Sequence, residues 1–492
     1  AILFSPMSEQ THKKSYETVI GLEVHIQLKT HRKVFAPEDF VFGSSPNHHV
    51  SVVSLAHPGA LPSPNLQCIK HMVKLGLALG CEIREQSYFS RKNYFYPDLP
   101  KGYQLSQDSI AICGAGDLDI QLDNGVEKSV RIERIHLEED AGKSIHDIHP
   151  KQSLIDLNRA GVGLAELVTH PDLRSAEEAG AFVAQIRRIV RYLQISDGNM
   201  EEGSLRCDAN VSVMPKGSQV YGTRVEIKNI NSISQVIKAI NYESKRQISC
   251  LEKGEEIFQE TRTWNVAKGT TAPMRDKETA EDYRYFPEPD LQPIKVKEEI
   301  IEELRAEIPR LPQERFTHYQ KNYKIPKNEA RSLAEQREFS DYFEQLLNLT
   351  SSPKSAANWM LGPVRNWLNE KSTDIDEFPI NTGQLAQLIK LVEDKKVGLN
   401  AAKEVLFPEL LIHPEQKVEI LAQEKDVIME SAADELLLAM QALVEKFPAE
   451  TKKYKNGKKN LIGFFVGQLM RKFRGKADPK EVNEVVRKVL DS

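Results

Sequence analysis

The amino-acid sequence predicts an α+β protein: an antiparallel sheet with packing helices over residues 16–295, an all-α domain over 296–412 and a small helical tail domain over 413–492. Three observations carry this. Between Tyr16 and Pro293 period-2 alternation mixes with a few amphipathic stretches, whereas after Lys295 nearly all apolar residues recur at helical spacing. The prolines of Pro287-Glu-Pro-Asp-Leu-Gln-Pro293 punctuate the change, because proline disfavours helix in the residue before it and breaks regular pairing. A weaker break lies at Leu411-Ile-His-Pro414.

With 492 residues, 40% of them apolar, the chain can bury more than one core. No apolar run approaches the roughly 18 residues of a membrane-spanning helix, and Ala1-Ile-Leu-Phe4 is too short for a signal-peptide core, so no membrane contact and a cytoplasmic location are expected. Residues 1–6, ahead of Met7, read as an upstream start or a processed end and are set aside. The five cysteines lack any Cys-x-x-Cys pair, which argues against disulfides or a structural zinc site. A net charge of −5 means that any affinity for nucleic acid must come from a local basic patch.

The elements follow in order. In Leu22-Glu-Val-His-Ile-Gln-Leu28, alternation sets Leu22, Val24, Ile26 and Leu28 on one face and Glu23, His25 and Gln27 on the other. In Arg131–Asp140 the alternation slips at Glu133-Arg134, which predicts a β-bulge that re-aims His136 and Glu138. Ile155 and Leu157 alternate with Asp156 and Asn158. Ser175-x-x-Glu178 and Ser232-x-x-Gln235 are helix starts, the first ahead of the stripe Phe182, Ile186, Ile189, Val190 and Leu193. Arg206, Asp208, Asn210 and Ser212 oppose Leu205, Cys207, Ala209 and Val211, which buries Cys207. Arg224, Glu226 and Lys228 oppose Val225 and Ile227.

An ordinary sheet with one wet face alternates in the same way. Yet Glu23, His25, Glu138, Glu139, Asp208 and Glu226 together lack the Lys and Thr usual on such a face, and like charges brought close need a cation. An oxygen-rich set with few thiolates suits Mg²⁺ or Mn²⁺. Both readings stay open at this level.

Gly142-Lys143-Ser144 has Leu137 where a P-loop needs its first glycine, so that nucleotide motif is excluded; Gly161-x-Gly163 reads as a turn. Arg91–Gln104, with three basic residues and three tyrosines, could hold phosphates and stack a base, or be a loop clamped by aromatics. Glu281–Asp290 could equally be an ion-paired corner. Between Lys452 and Lys476 stand nine Lys/Arg residues and no acid, interleaved with Tyr454, Phe464, Phe465 and Phe473. This is the chain's strongest nucleic-acid signal. Gly463-x-x-x-Gly467 inside it reads as a close helix contact, and Asp478-Pro-Lys-Glu481 caps a last helix.

Five segments together resemble a known family: Val19-Ile-Gly-Leu-Glu-Val-His25, Arg91-Lys-Asn-Tyr-Phe-Tyr-Pro97, His136-Leu-Glu-Glu-Asp-Ala-Gly-Lys143, Met200-Glu-Glu-Gly-Ser-Leu-Arg-Cys-Asp-Ala-Asn210 and Asp282-Tyr-Arg-Tyr-Phe-Pro-Glu-Pro-Asp290. The chain is similar, from about Tyr16 onward, to the B subunits of glutamyl-tRNA(Gln)/aspartyl-tRNA(Asn) amidotransferases. The resemblance implies a cradle-shaped first domain and a heterotrimer in which an A subunit hydrolyses glutamine and a small C subunit completes the complex. ATP would activate the side-chain carboxylate of a misacylated Glu-tRNA(Gln) or Asp-tRNA(Asn) as an acyl phosphate that ammonia attacks.

Carried over, the catalytic and Mg²⁺-binding residues are His25, Glu139 and Glu226, with Glu23, Glu138 and Asp208 adjoining; Tyr94, Lys92 and Asp208 fall near the nucleotide. Tail residues Lys452, Lys453, Lys455, Lys458, Lys459, Arg471, Lys472 and Arg474 would contact tRNA. Two departures stand out. Ala36, Glu38, Ser51 and Ser54 occupy the places of the zinc cysteines found in many members, so no zinc is expected, and Asn158-Arg-Ala-Gly-Val-Gly-Leu164 has Gly163 where proline is usual. The length leaves no room for the inserted domain of the archaeal relative, which favours the bacterial or organellar type. A free-standing ATP-dependent carboxylate–amine ligase would lack the basic tail, and a non-catalytic tRNA-binding scaffold would tolerate loss of the carboxylates.

Overall fold

Alternation in Tyr16–Gln27 produces a strand, β1, whose apolar side chains Leu22, Val24 and Ile26 are almost wholly buried. Each contributes about 1.5–3 kcal/mol by leaving water. The computed structural model describes residues 15–108, 110–122, 124–146, 148–276, 282–429, 433–473 and 477–491. Besides β1, its main sheet contains β2 (Gly116–Gln121), β3 (Glu127–Glu139), β4 (Gly163–Thr169), β5 (Leu205–Pro215), β6 (Val225–Lys228), β7 (Glu260–Asn265) and β8 (Thr270–Asp276). The order is β8-β7-β6-β5-β1-β4-β3-β2, and every neighbouring pair is antiparallel except β6–β7.

One face packs against helices α1 (Leu66–Ala78), α2 (Ala176–Tyr192) and α3 (Ile233–Lys253). Ser175 caps α2 by accepting from the Glu178 amide, while the Glu178 carboxylate reaches one residue further back, to the Arg174 amide. Ser232 caps α3 in the same way, and the Gln235 side chain instead accepts from the Trp264 indole. The opposite face stays polar. It is walled by a short sheet of Ser90–Asn93, Tyr103–Ser106 and Phe286–Pro287.

The first compact unit ends at Leu311, because helix Glu298–Ala306 sends Ile301 and Leu304 into the sheet's core. The second, from Pro312, is helical throughout its described residues and has two apolar clusters. One runs from Phe316 to Ala422 and the other from Leu436 to Leu490. The cores therefore divide between Ala422 and Leu436 rather than at Pro414, since helix Val418–Glu424 buries Val418, Leu421 and Ala422 in the first cluster. Among the described residues no helix is long and apolar enough to cross a membrane.

Candidate active site

Register builds the site. β1 lies between β5 and β4, so His25 faces Arg206 on one side and Glu166 on the other, and Glu166 in turn faces His136 on β3. Two residues along, Glu23 faces Asp208. Side chains two residues apart share a face, which lines up charged groups from five strands.

Ligand atoms fall into two groups of three, each within 4.8 Å of one another: His25, Glu138 and Glu166; and Glu23, Asp208 and Glu226. In the first, Glu166 Oε2 is 3.2 Å from His25 Nε2 and 3.3 Å from His136 Nε2, and Ser106 Oγ donates to Glu138 at 3.0 Å. Burial alone would lower the pKa of His136, but Glu166 and Glu138 outweigh it and raise it to about 9. His25 is raised for the same reason, burial being overcome by Glu166. Glu166, although buried, is held well below the usual carboxylate range by the two imidazoles.

In the second group, Asn210 donates to Glu23 (2.8 Å), Thr261 to Glu226 (2.8 Å) and Lys228 to Asp208 (2.6 Å), with Lys228 Nζ 3.4 Å from Glu226. The donor set of the two groups, carboxylates with one imidazole and no thiolate, fits a hard divalent cation.

Two cavities adjoin these groups. The larger, about 330 Å³, is lined by the cations Lys92, Arg159, Arg206 and Lys228, with Tyr94, Asp208 and Asp140. Arg206 donates to Asp140 (2.9 Å), and Arg159 donates to the carbonyls of Ala141 and Gly142 (2.9 and 2.7 Å), which fixes both guanidiniums in place. The smaller, about 240 Å³, is lined by Glu23, Arg134, His136, Glu166 and Glu226 and closed by Tyr283 and Tyr285. His25, Lys92 and Lys228 belong to both. Lys92 Nζ lies 4.9 Å from the Tyr283 ring centroid; burial would lower its pKa, but Glu138 and Glu166 raise it. Burial raises the Tyr94 phenol. Arg91, next to Lys92, is committed elsewhere, donating to both oxygens of Glu288 and stacking on Tyr103.

His25 and Glu226 thus share a cavity, with Glu23, Glu138 and Asp208 around them, but Glu139 belongs to neither group. Its neighbour Glu138 faces the site, so the pleat turns Glu139 to the opposite side. There its carboxylate accepts from the Leu105 amide (2.8 Å) and pairs with Lys101, while its carbonyl accepts from Gln104 (2.6 Å). The third ligand-bearing residue beside His25 and Glu138 is Glu166. The signal was present in Gly163-Leu-Ala-Glu-Leu-Val-Thr169, a lone carboxylate in an otherwise apolar strand.

Outside the site, Ser54 donates to Glu38, the Ser51 amide donates to Ser54 (3.1 Å), and the buried Lys33 ammonium lies 3.3 Å from Glu38 and donates to the His49 carbonyl (2.7 Å). In the tail, Lys452, Lys453, Lys455, Lys458, Lys459, Arg471 and Lys472 are exposed, whereas Tyr454 and Phe465 are buried in the core. Arg474 lies outside the described residues. Gly463 and Gly467 are exposed, and an added Cβ would meet nothing within 4 Å among the described residues, so none of these makes a close helix contact there.

A family model described as the GatB/GatE catalytic domain matches residues 18–302, and one described as a GatB domain matches residues 341–490. Similar curated proteins, each named as the B subunit of aspartyl/glutamyl-tRNA(Asn/Gln) amidotransferase, include one from Chlorobium chlorochromatii, 48% identical over 97% of this chain and 99% of its own length. One from Thermodesulfovibrio yellowstonii is 47% identical over 96% and 99%, and one from Chlorobaculum tepidum is 46% identical over 97% and 100%. With these relatives matching nearly end to end, and a catalytic-domain match over the sheet that carries both acidic groups, the chain belongs to the family of aspartyl/glutamyl-tRNA(Asn/Gln) amidotransferase B subunits.

Proposed function

We propose that this chain is the ATP- and Mg²⁺-using subunit that activates the side-chain carboxylate of glutamate or aspartate on a misacylated tRNA for amidation. A carboxylate oxygen bonds to the terminal phosphorus of ATP and ADP leaves; ammonia nitrogen then bonds to the acyl carbon and phosphate leaves. The observation that carries this reading is the pair of cavities meeting at His25, Lys92 and Lys228. One wall is cationic and suits a polyphosphate; the other is acidic and suits a metal-bound substrate.

His25, Glu138 and Glu166, and Glu23, Asp208 and Glu226, would hold the ion. Bound there, Mg²⁺ supplies the positive charge needed where two anions approach each other. Lys92, Arg159, Arg206 and Lys228 hold the phosphates, and Tyr94 offers a phenol and ring beside them. The hydrogen bonds among Glu38, Ser51 and Ser54 and the Lys33–Glu38 pair support a fold that needs no zinc there. In this reading an A subunit supplies ammonia from glutamine, a small C subunit completes a cytoplasmic heterotrimer, and the exposed lysines of the tail contact tRNA phosphates.

The test is ADP and amide formation by the reconstituted complex with each misacylated tRNA, comparing wild type with Glu226→Gln. Loss of both products with tRNA affinity kept within a few-fold is expected. Undiminished amidation by the variant would instead favour a scaffold role.

A further inference from the structure

β3 slips by one residue against β4: Ile132 faces Thr169, whereas Arg134 faces Val168. The bulge lets Val130 and Ile132 before it, and Ile135 and Leu137 after it, all face the core, and it delivers Arg134 to the polar face with His136 and Glu138. Arg134 thereby lines the smaller cavity. Its guanidinium is half engaged. One terminal nitrogen donates to Glu133 (2.5 Å), whereas Nε is buried and has no partner.

Among the described residues Arg134 pairs with none of Glu166, Glu226 and Glu23, which have other partners: Glu166 has His25 and His136, Glu226 has Thr261 and Lys228, Glu23 has Asn210; the cavity's remaining acid, Asp108, is exposed. The Arg134 side chain is 35% exposed and its pair with Glu133 is solvent-facing, so the guanidinium can turn to a ligand acceptor in the cavity it lines, which would also satisfy the buried Nε. Surrounding acids make the space hostile to a polyanion, and the four-cation cavity next to it is the better phosphate site. A single carboxylate matches the planar fork of one guanidinium.

We propose that Arg134 determines acid specificity by receiving the side-chain carboxylate of the aminoacyl group in the smaller cavity, an inference that rests on the carboxylate-activation reading above. Tyr283 and Tyr285 then close over the aminoacyl group, and Lys92 and Lys228, shared with the larger cavity, face the phosphate to be transferred.

The experiment uses the assembled complex with wild type, Arg134→Ala and Arg134→Lys, following ADP release driven by misacylated tRNA, with and without added guanidinium. Arg134→Ala is expected to lose about 100-fold or more in kcat/KM. Guanidinium should restore part of it, while Arg134→Lys retains an intermediate rate. Preference for the carboxylate-bearing tRNA over its amidated product in competition binding should vanish in Arg134→Ala, with affinity for uncharged tRNA and glutamine hydrolysis unchanged. Activity of Arg134→Ala within threefold of wild type overturns the proposal, as does a loss that guanidinium does not relieve. Absence of tRNA-driven ADP release from the wild-type complex overturns the activation reading itself.

Discussion

The polar face of the sheet and the basic surface of the tail both concentrate charge, in opposite ways. On the sheet the pleat and local partners hold the acids in place: Glu166, Glu138 and Glu226 are buried, and each has hydrogen-bond or ion-pair partners. In the tail, Lys452, Lys453, Lys455 and Lys458 are exposed on flexible stems, and the order beneath them comes from Tyr454, Phe465 and Leu469 in the core. Fixed charge can stabilise charge that develops at one atom, whereas mobile charge adds affinity without geometry. The two regions should therefore respond to substitution with different signatures.

The largest effect is expected on the sheet. Glu166→Gln and Glu226→Gln should each lower kcat by about 10²–10³-fold, the scale for removing one preorganised charge-stabilising group. An effect below tenfold in both would erase the distinction between the regions. Replacing Lys452, Lys453 and Lys455 together with alanine should weaken tRNA binding about tenfold and reduce the salt dependence of log K by up to roughly 3, with kcat at saturating tRNA unchanged. An unaltered salt slope would remove the tail from the tRNA path.

Glu139→Gln sharpens the contrast within the sheet, because Glu139 is adjacent to Glu138 in the chain but faces the other way. Its partners are Lys101 and the Leu105 amide, so the expected loss is about 1–3 kcal/mol of stability, read by denaturant titration, and not a Glu166-like fall in kcat. The smallest effect belongs to Lys459→Ala, which should change tRNA affinity by less than about threefold. Lys459 is already paired with Asp491 (2.7 Å) and lies over the Tyr454 ring, so it has less charge to offer than its neighbours.

Much of the sheet was legible in the sequence because period-2 alternation is a direct record of two faces. The slip at Glu133-Arg134 announced the bulge, and Leu22–Leu28 and Leu205–Val213 announced the faces that carry Glu23, His25 and Asp208. Strand order is not recorded in this way, so nothing in the sequence said that β1 would lie between β4 and β5, the placement that brings Glu166 to His25. Glu139 was grouped with Glu138 because the motif reads as a block of acids, although adjacent residues of one strand cannot share a face. Short pieces such as Ser90–Asn93 and Tyr103–Ser106 form strands only through each other and Phe286–Pro287, partners too distant for local pattern to reveal. Gly463 and Gly467 show the reverse error, a spacing that suggests contact where the surface is open.

The central position of β1 has a consequence for synthesis. It is the first strand of the sheet to leave the ribosome, yet both of its edges are filled by strands that begin at Gly163 and Leu205. At roughly 5–20 residues per second the chain spends on the order of seven to thirty seconds with that strand unpaired on both sides. Such edges recruit any other extended segment nearby. The strand that will carry His25 and Glu23 is thus made well before the neighbours that complete either acidic group, and its edges stay open to misassociation until they emerge.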